Sequence, residues 1–138
     1  QFILTRKNLR ERKPITVSPK IKIETDDFIF LWKTDCKGQS FNSDRKTEII
    51  DASKINQTMI LRPWEPGDRF HPFGMEGTKK ISDYLIDEKV DRYTKDNQWV
   101  LVNREEIIWV CGRRISDKVK VTPETTQFAE LSFLNNVG

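Results

Sequence analysis

The sequence predicts an α+β fold, in which a small, mixed and mostly antiparallel β-sheet is combined with one main helix and short helical turns. Two observations support this class. Short apolar runs of strand length recur through the chain and are bounded by polar turn residues. One stretch, beginning near residue 78, has apolar residues at helical spacing. The 138 residues, 36% of them hydrophobic, can bury a modest core.

The first sixty residues are predicted to form short strands. Apolar or alternating segments lie at 2–4, 15–17, 21–23, 28–32, 48–51 and 59–61. The first segment can extend to Leu9, and Ser18-Pro19 indicates an edge strand or a bend. Residues 25–27 are a predicted turn and residues 35–46 a polar loop.

The main helix is predicted to begin at an N-cap, Thr78, and to end at 87–90, because Ile81, Tyr84 and Leu85 share one helical face. A second short helical turn follows it, and then a β-hairpin with a polar loop. Pro123 excludes a long helix near the C-terminus, where a closing strand is expected. The ranges for the turn, the two hairpin strands and the closing strand are 91–96, 99–102, 107–111 and 128–134.

A turn-rich loop leads into that helix. Its prolines fix φ, and its glycines can adopt positive φ without steric cost: Pro63, Pro66, Pro72, Gly67, Gly74 and Gly77. Lys79 and Lys80 then fall in the first helical turn, where free N–H groups already carry positive partial charge. A bound phosphate would reverse this unfavourable interaction. The stretch is thus interpreted as an anion-binding loop and helix; the alternative is a connector with solvated lysines.

The net charge of +3 is distributed unevenly. Residues 1–22 contain seven basic residues and one acidic residue, and residues 113–120 contain four and one, so the remainder of the chain is acidic. Basic patches on an acidic body favour a polyanion such as nucleic acid, held in one orientation. Chance clustering of surface lysines and arginines is the alternative.

Several other functional classes lack sequence support. No apolar run approaches a membrane span, and no signal peptide is present. Cys36, Cys111 and the single histidine, His71, are not at metal-ligand spacing. No catalytic, cofactor or metal site is predicted, and free cysteines favour a cytoplasmic protein. Because the chain begins at Gln1 without a methionine, we expect it to be part of a longer protein.

A long spaced motif extends this interpretation. It reads Arg62-Pro63-x-x-Pro66-Gly67-Asp68-Arg69-Phe70-x-Pro72-x-Gly74-x-x-Gly77-x-Lys79-Lys80-Ile81-Ser82-Asp83, and continues through Asp87, Lys89, Arg92, Val100-Leu101, Trp109 and Gly112-x-Arg114-Ile115. This pattern resembles the C-terminal domain of bacterial tRNA(Ile)-lysidine synthases. Two positions depart from it. Lys95 stands where the family usually has Arg, and Gln98-Trp99 replaces a usual Pro.

The resemblance implies a function. Enzymes of this family use ATP, with Mg²⁺, to adenylate an anticodon cytidine of tRNA(Ile) and then join lysine to it. That chemistry belongs to an N-terminal catalytic domain whose motif is not in this chain, so we expect this part to bind tRNA without catalysis. Its expected partners are tRNA(Ile), chiefly the acceptor stem, and the catalytic domain. The implied fold is similar to a domain of the phenylalanyl-tRNA synthetase β chain.

The resemblance also divides the chain and nominates site residues. We expect a β-rich portion at 1–60, a tRNA-docking domain at 61–134 and a tail at 135–138. Basic side chains of the motif and its continuation are the candidate tRNA contacts: Arg62, Arg69, Lys79, Lys80, Arg92, Lys95, Arg113 and Arg114. Gly67, Asp68, Pro72, Gly74 and Gly77 are expected to shape the loop, with Asp68 orienting Arg69 or capping the turn.

A second interpretation is an interdomain or homodimer contact without RNA. An exposed apolar patch around Trp64, Phe70 and Phe73 would favour that interpretation. A continuous basic surface would favour RNA.

Overall fold

A computed structural model of the protein describes residues 2–6, 13–36 and 46–135, the first range as backbone only. The strands in these ranges are β1 (Phe2–Arg6), β2 (Ile15–Val17), β3 (Ile21–Thr25), β4 (Phe28–Thr34), β5 (Thr47–Asp51), β6 (Met59–Pro63), β7 (Arg69–Phe70), β8 (Lys79–Lys80), β9 (Trp99–Asn103), β10 (Glu106–Val110) and β11 (Phe128–Asn135). The helices are α1 (Ile81–Asp87) and α2 (Arg92–Asp96), with 3₁₀ turns at Ala52–Lys54 and Asp117–Val119. The predicted continuation of β1 to Leu9 and most of the predicted polar loop lie outside the described residues.

The fold is of the predicted class, mixed sheets with few helices, but its strands divide between two sheets where the prediction named one. The first sheet has the order β1-β3-β4-β11-β5, and the second has the order β2-β6-β9-β10-β7-β8. All pairings are antiparallel except β1 with β3 and β7 with β10, which confirms the predicted mixed and mostly antiparallel character. Alternation along a strand identifies its buried face but not the sheet that the strand joins.

The second sheet is covered on both faces. On one face, Trp99 and Leu101 belong to the main core with residues of the first sheet, such as Phe28, whose ring centroid lies 4.9 Å from that of Trp99. On the other face, Val100 and Val102 pack in a second cluster with residues of α1. Every residue of β9 is therefore buried, which explains its continuous apolar run. The structure has three layers in the order sheet, sheet, helix.

The hairpin of β9 and β10 closes through Arg104 and Glu105, both with positive φ (49° and 69°). This is the backbone conformation of a two-residue hairpin turn, although Asn-Gly is the usual sequence for it. The predicted hairpin and its polar loop are confirmed. The closing strand is also confirmed, and it lies between β4 and β5 in the interior of the first sheet.

The predicted division at residue 60 falls within β6, and both sheets contain strands from either side of it. The predicted boundary between 1–60 and 61–134 therefore marks where the motif begins, and as a domain boundary it stays a prediction.

Asp51 connects the end of β5 to the segment that precedes β11. Its carboxylate accepts hydrogen bonds from the Ser53 amide at 2.9 Å, the Ser53 hydroxyl at 2.6 Å and the Thr125 hydroxyl at 2.9 Å. Burial alone would raise the pKa of Asp51, but these hydrogen bonds outweigh it and lower the pKa below its ordinary value. The ionised form is therefore the one that the fold stabilises.

We expect Asp51→Asn to lower the melting temperature at pH 7 and to do so less as the solution becomes acidic. The folded-state pKa lies below the unfolded value of about 3.9. The stabilisation is therefore complete above that value and is lost as the pH falls through the folded pKa. Thermal unfolding between neutral pH and about pH 2 measures this, with the exposed Asp26→Asn as a control of equal charge. A stability difference that does not change with pH would contradict the assignment.

Candidate nucleic-acid interface

The loop at 62–78 has the backbone that its glycines predict. Gly67, Gly74 and Gly77 have φ of 92°, 83° and 78°. A Cβ added at any of them would meet no atom within 4 Å. The backbone angle, and not close approach of a neighbour, therefore requires glycine at these positions.

The loop is anchored to the segment that follows β10. Pro72 is buried and forms an isolated bridge with Ser116, and the Phe73 amide donates to the Ile115 carbonyl at 3.0 Å. The Asp117 carboxylate accepts the Gly74 amide at 3.1 Å. That hydrogen bond, with one from Lys120, lowers the pKa of Asp117. Asp117 was not among the predicted site residues, since only the tertiary structure brings it to the loop.

Arg62 is engaged within the protein. Its guanidinium donates to both carboxylate oxygens of Asp68, at 2.9 and 3.1 Å, and to the Pro63 carbonyl at 3.0 Å. The side chains of Arg62 and Asp68 are only 19% and 15% exposed. The Asp68 hydrogen bond raises the pKa of Arg62 further. The geometry therefore gives Arg62 a structural role in holding the loop, and its predicted tRNA contact stays a prediction.

Asp68 also accepts the Glu65 amide at 2.7 Å, which confirms the prediction that it caps the turn. The alternative prediction, that it orients Arg69, was wrong. Arg69 instead donates from its Nε to the Thr78 hydroxyl at 3.2 Å. The hydroxyl of Thr78 was predicted to cap the helix.

Two predictions for the start of α1 were also wrong. Its N-cap is Lys80, which makes no side-chain capping bond, and not Thr78. Lys79 and Lys80 form β8, paired with β7, so they precede the helix and do not occupy its first turn. The backbone of both lysines pairs with that of β7. A local sequence pattern does not show such a pairing. Arg69 is the register partner of Lys80, and both side chains are exposed.

The remaining candidates differ in how they are held. Lys79 forms an ion pair with Asp87, with its side chain 24% exposed. Lys95 lies 5.6 Å from the centre of the Trp64 ring, and its carbonyl accepts the Trp64 indole N–H at 2.6 Å. Arg92 is exposed on α2.

Arg113 and Arg114 are held by neighbours that sequence reasoning did not identify. The Nε of Arg113 donates to the side-chain oxygen of Gln98 at 2.8 Å. Gln98 is buried and donates to the carbonyls of Trp99 and Cys111, at 2.7 and 2.9 Å. The Arg114 guanidinium carbon lies 5.7 Å from the centre of the Tyr84 ring. One indication of these contacts was present in the sequence, because Gln98 departs from the family motif.

Of the three loop aromatics, only Phe73 is largely exposed, at 49%. Phe70 is buried and meets Tyr84 edge-on, with ring centroids 5.2 Å apart. Trp64 is half-buried against Lys95. The three rings do not form the apolar patch that would favour a protein contact.

Within the described ranges, no group of three or more His, Cys, Asp or Glu side chains is arranged to hold a metal ion. Cys36 and Cys111 are free thiols, and burial raises the pKa of Cys111. Neither helix of the described part has the length and apolar character of a membrane span.

The family follows from comparison with known proteins. Residues 59–131, which contain the loop, α1 and the hairpin, match the family model described as the TilS substrate C-terminal domain. The chain belongs to this family.

The relatives of this TilS C-terminal domain are consistent with that assignment. A protein named tRNA(Ile)-lysidine synthase from Parabacteroides distasonis is 30% identical over 133 residues, which are 96% of this chain and 28% of that protein. A second protein of that name, from Bacteroides thetaiotaomicron, is 44% identical over 84 residues, covering 61% of this chain and 20% of that protein. The chain thus spans between a fifth and three tenths of these relatives' length.

Solved structures support the fold. A crystal structure described as the TilS C-terminal domain superimposes with a TM-score of 0.76 at 16% identity, covering 91% of this chain and all of that one. An N-terminal fragment of the phenylalanyl-tRNA synthetase β-subunit from Pyrococcus horikoshii gives a TM-score of 0.53 at 14% identity, covering 95% of this chain and 42% of that fragment. The expected similarity to both folds is confirmed.

Proposed function

We propose that this domain docks the acceptor stem of tRNA(Ile), as the C-terminal part of a cytoplasmic tRNA(Ile)-lysidine synthase. The full-length enzyme would use ATP and Mg²⁺ in a separate catalytic domain, and this part would supply substrate binding. Family membership supports the enzyme, and the basic side chains support the docking role.

The observation that carries the docking proposal is the pair Arg69 and Lys80. Two exposed cations are register partners on a two-strand ribbon, whose loop is stiffened by prolines and by the Arg62–Asp68 ion pair. An A-form stem presents phosphates and 2′-hydroxyls across a wide, shallow minor groove and is recognised mostly by shape. Rigidly mounted cations suit such a target, because less conformational entropy is lost on binding.

Contacts connect this pair to the other candidate cations. Phe70 follows Arg69 and meets Tyr84, on whose ring Arg114 lies. Arg113 donates to the side chain of Gln98, and the backbone carbonyl of Gln98 accepts the Trp64 amide at 3.1 Å. Trp64 in turn contacts Lys95. These contacts hold the candidate cations through one connected set of mostly buried side chains, and Arg62 holds the loop. That the cations form one basic interface is part of the proposal.

The affinity for tRNA(Ile) should decrease steeply with salt. If about three to five phosphates are neutralised, binding should weaken about 40- to 500-fold between roughly 50 and 200 mM salt, applying the B-DNA slope. Replacing both Arg69 and Lys80 by alanine should weaken binding. It should also reduce the dependence of log K on log salt concentration by the amount expected for about two phosphate contacts. Filter binding of tRNA(Ile) to the 138-residue chain measures both.

The matched control removes equal charge elsewhere, as Lys33→Ala with Lys54→Ala. Both lysines are exposed, and both lie outside the basic segments 1–22 and 113–120. The control should retain nearly wild-type slope. Equal effects of the two double variants, or binding that salt does not change, would refute docking through this pair.

A further inference from the structure

A cleft of about 520 Å³ lies beside the Pro/Gly loop, where the turn after β10 and the edge of the first sheet meet it. Phe73 and Gly74 contribute one wall, and Arg113, Arg114 and Ile115 contribute another. The volume is in the range of small-ligand sites. The docking of a helical stem needs a surface and not such a recess, so the stem docking proposed above leaves the recess itself unused, although Arg113 and Arg114 are candidates for both.

The cleft has an aromatic wall that is accessible. Phe73 is 49% exposed, although both its amide and the residues on either side of it are fixed to the 115–117 segment. Its backbone is thus rigid while its ring is open to solvent. A large apolar ring in this situation is a suitable platform for stacking a planar group.

Basic side chains also line the cleft, next to this aromatic part. Arg113 donates to Gln98 through its Nε alone. Among the described residues, no hydrogen bond involves the terminal guanidinium nitrogens of Arg113 or of Arg114. Both arginines line the cleft, and a guanidinium group can donate to several oxygens of a phosphate. Their positive charge is favourable for an anion, although Glu48 lies on the same cleft and Arg113 also interacts electrostatically with Asp91. Lys120, also on the cleft, is paired with Asp117 at 3.2 Å.

We propose that this cleft holds an unpaired nucleotide at the end of the docked RNA helix, with its base on Phe73 and its phosphate on Arg113 and Arg114. The inference rests on the proposed docking function and adds a second point of contact to it. The base and the phosphate of one nucleotide match the two chemically different walls. A base within a helix is already stacked and cannot reach Phe73, so the occupant must be single-stranded.

The test uses two RNA hairpins with the same stem, one blunt and one with a short single-stranded 3′ extension. The wild-type chain should bind the extended hairpin at least about fivefold more tightly, the lower limit expected for stacking one base. Phe73→Ala should abolish this gain without changing the affinity for the blunt hairpin. Phe73→Tyr, which retains the ring, should preserve the gain. Because Phe73 is half exposed, these variants should fold, and their melting temperatures check this.

The outcomes separate the two proposals. Equal wild-type affinity for the two hairpins would refute the nucleotide site and leave stem docking intact. Failure to bind either hairpin would refute both. If Phe73→Ala did not reduce the preference for the extended hairpin, the assignment of the base to Phe73 would also be refuted. A protein segment would then be the favoured occupant of the cleft.

Discussion

Replacing Asp68 by alanine should destabilise the domain by about 2–3 kcal/mol, between the values for exposed and fully buried ion pairs. The change leaves the Arg62 guanidinium, whose side chain is 19% exposed, without its bidentate partner, and it removes the acceptor of the Glu65 amide. Urea denaturation measures the loss, and the melting temperature should fall by on the order of 10 °C. Asp68→Asn, which keeps an oxygen for the amide but not the charge, should lie between wild type and Asp68→Ala.

The same measurement determines the role of Arg62. If Arg62 acts through Asp68, then Arg62→Ala and Asp68→Ala should each be destabilising, and the double variant should be little worse than either. Arg69→Ala is the control, because Arg69 is exposed and bonds only the Thr78 hydroxyl among described residues. It should lower RNA affinity with little loss of stability. Additive stability losses for the Arg62 and Asp68 variants would show that the pair contributes no coupling energy.

Gln98→Leu should also cost about 2–3 kcal/mol, since unsatisfied buried polar groups cost about 1–3 kcal/mol each. The amide of Gln98 donates to the carbonyls of Trp99 and Cys111 and accepts from Arg113. Of these, the Trp99 carbonyl keeps the Cys111 amide as a donor. Urea denaturation measures the stability, and the gain in affinity for the extended hairpin should decrease as Arg113 loses its support.

Gln98→Glu separates the two roles of this side chain. Glutamate keeps the acceptor for Arg113, but its carboxylate donates to neither carbonyl, so stability should fall while the hairpin preference is largely retained. Arg113→Ala should remove the preference with a smaller stability loss, because Arg113 is half-buried. A Gln98→Leu variant as stable as wild type would mean that the three hydrogen bonds contribute no net stability.

Much of the fold could be predicted because it depends on local patterns. Alternating and apolar segments predicted the longer strands and the hairpin, but not the two-residue strands β7 and β8, and the apolar spacing predicted α1. The assembly of these strands into two sheets could not be predicted in this way. β2 and β3 are separated by three residues, yet they join different sheets. Long-range pairing decides this, and a strand's own sequence contains no record of its partner.

For the candidate site, the sequence by itself determined where backbone conformation must be unusual and which residues carry charge. Glycine at φ near 80–90° is required by the residue's own sterics, so Gly67, Gly74 and Gly77 were identifiable without a structure. The tertiary structure alone decided what each charge does. It paired Arg62 with Asp68, made Lys79 and Lys80 a strand and fixed Arg113 through Gln98. The physical reason is that a charged side chain acts on whatever lies within a few ångströms, and chain folding determines those neighbours.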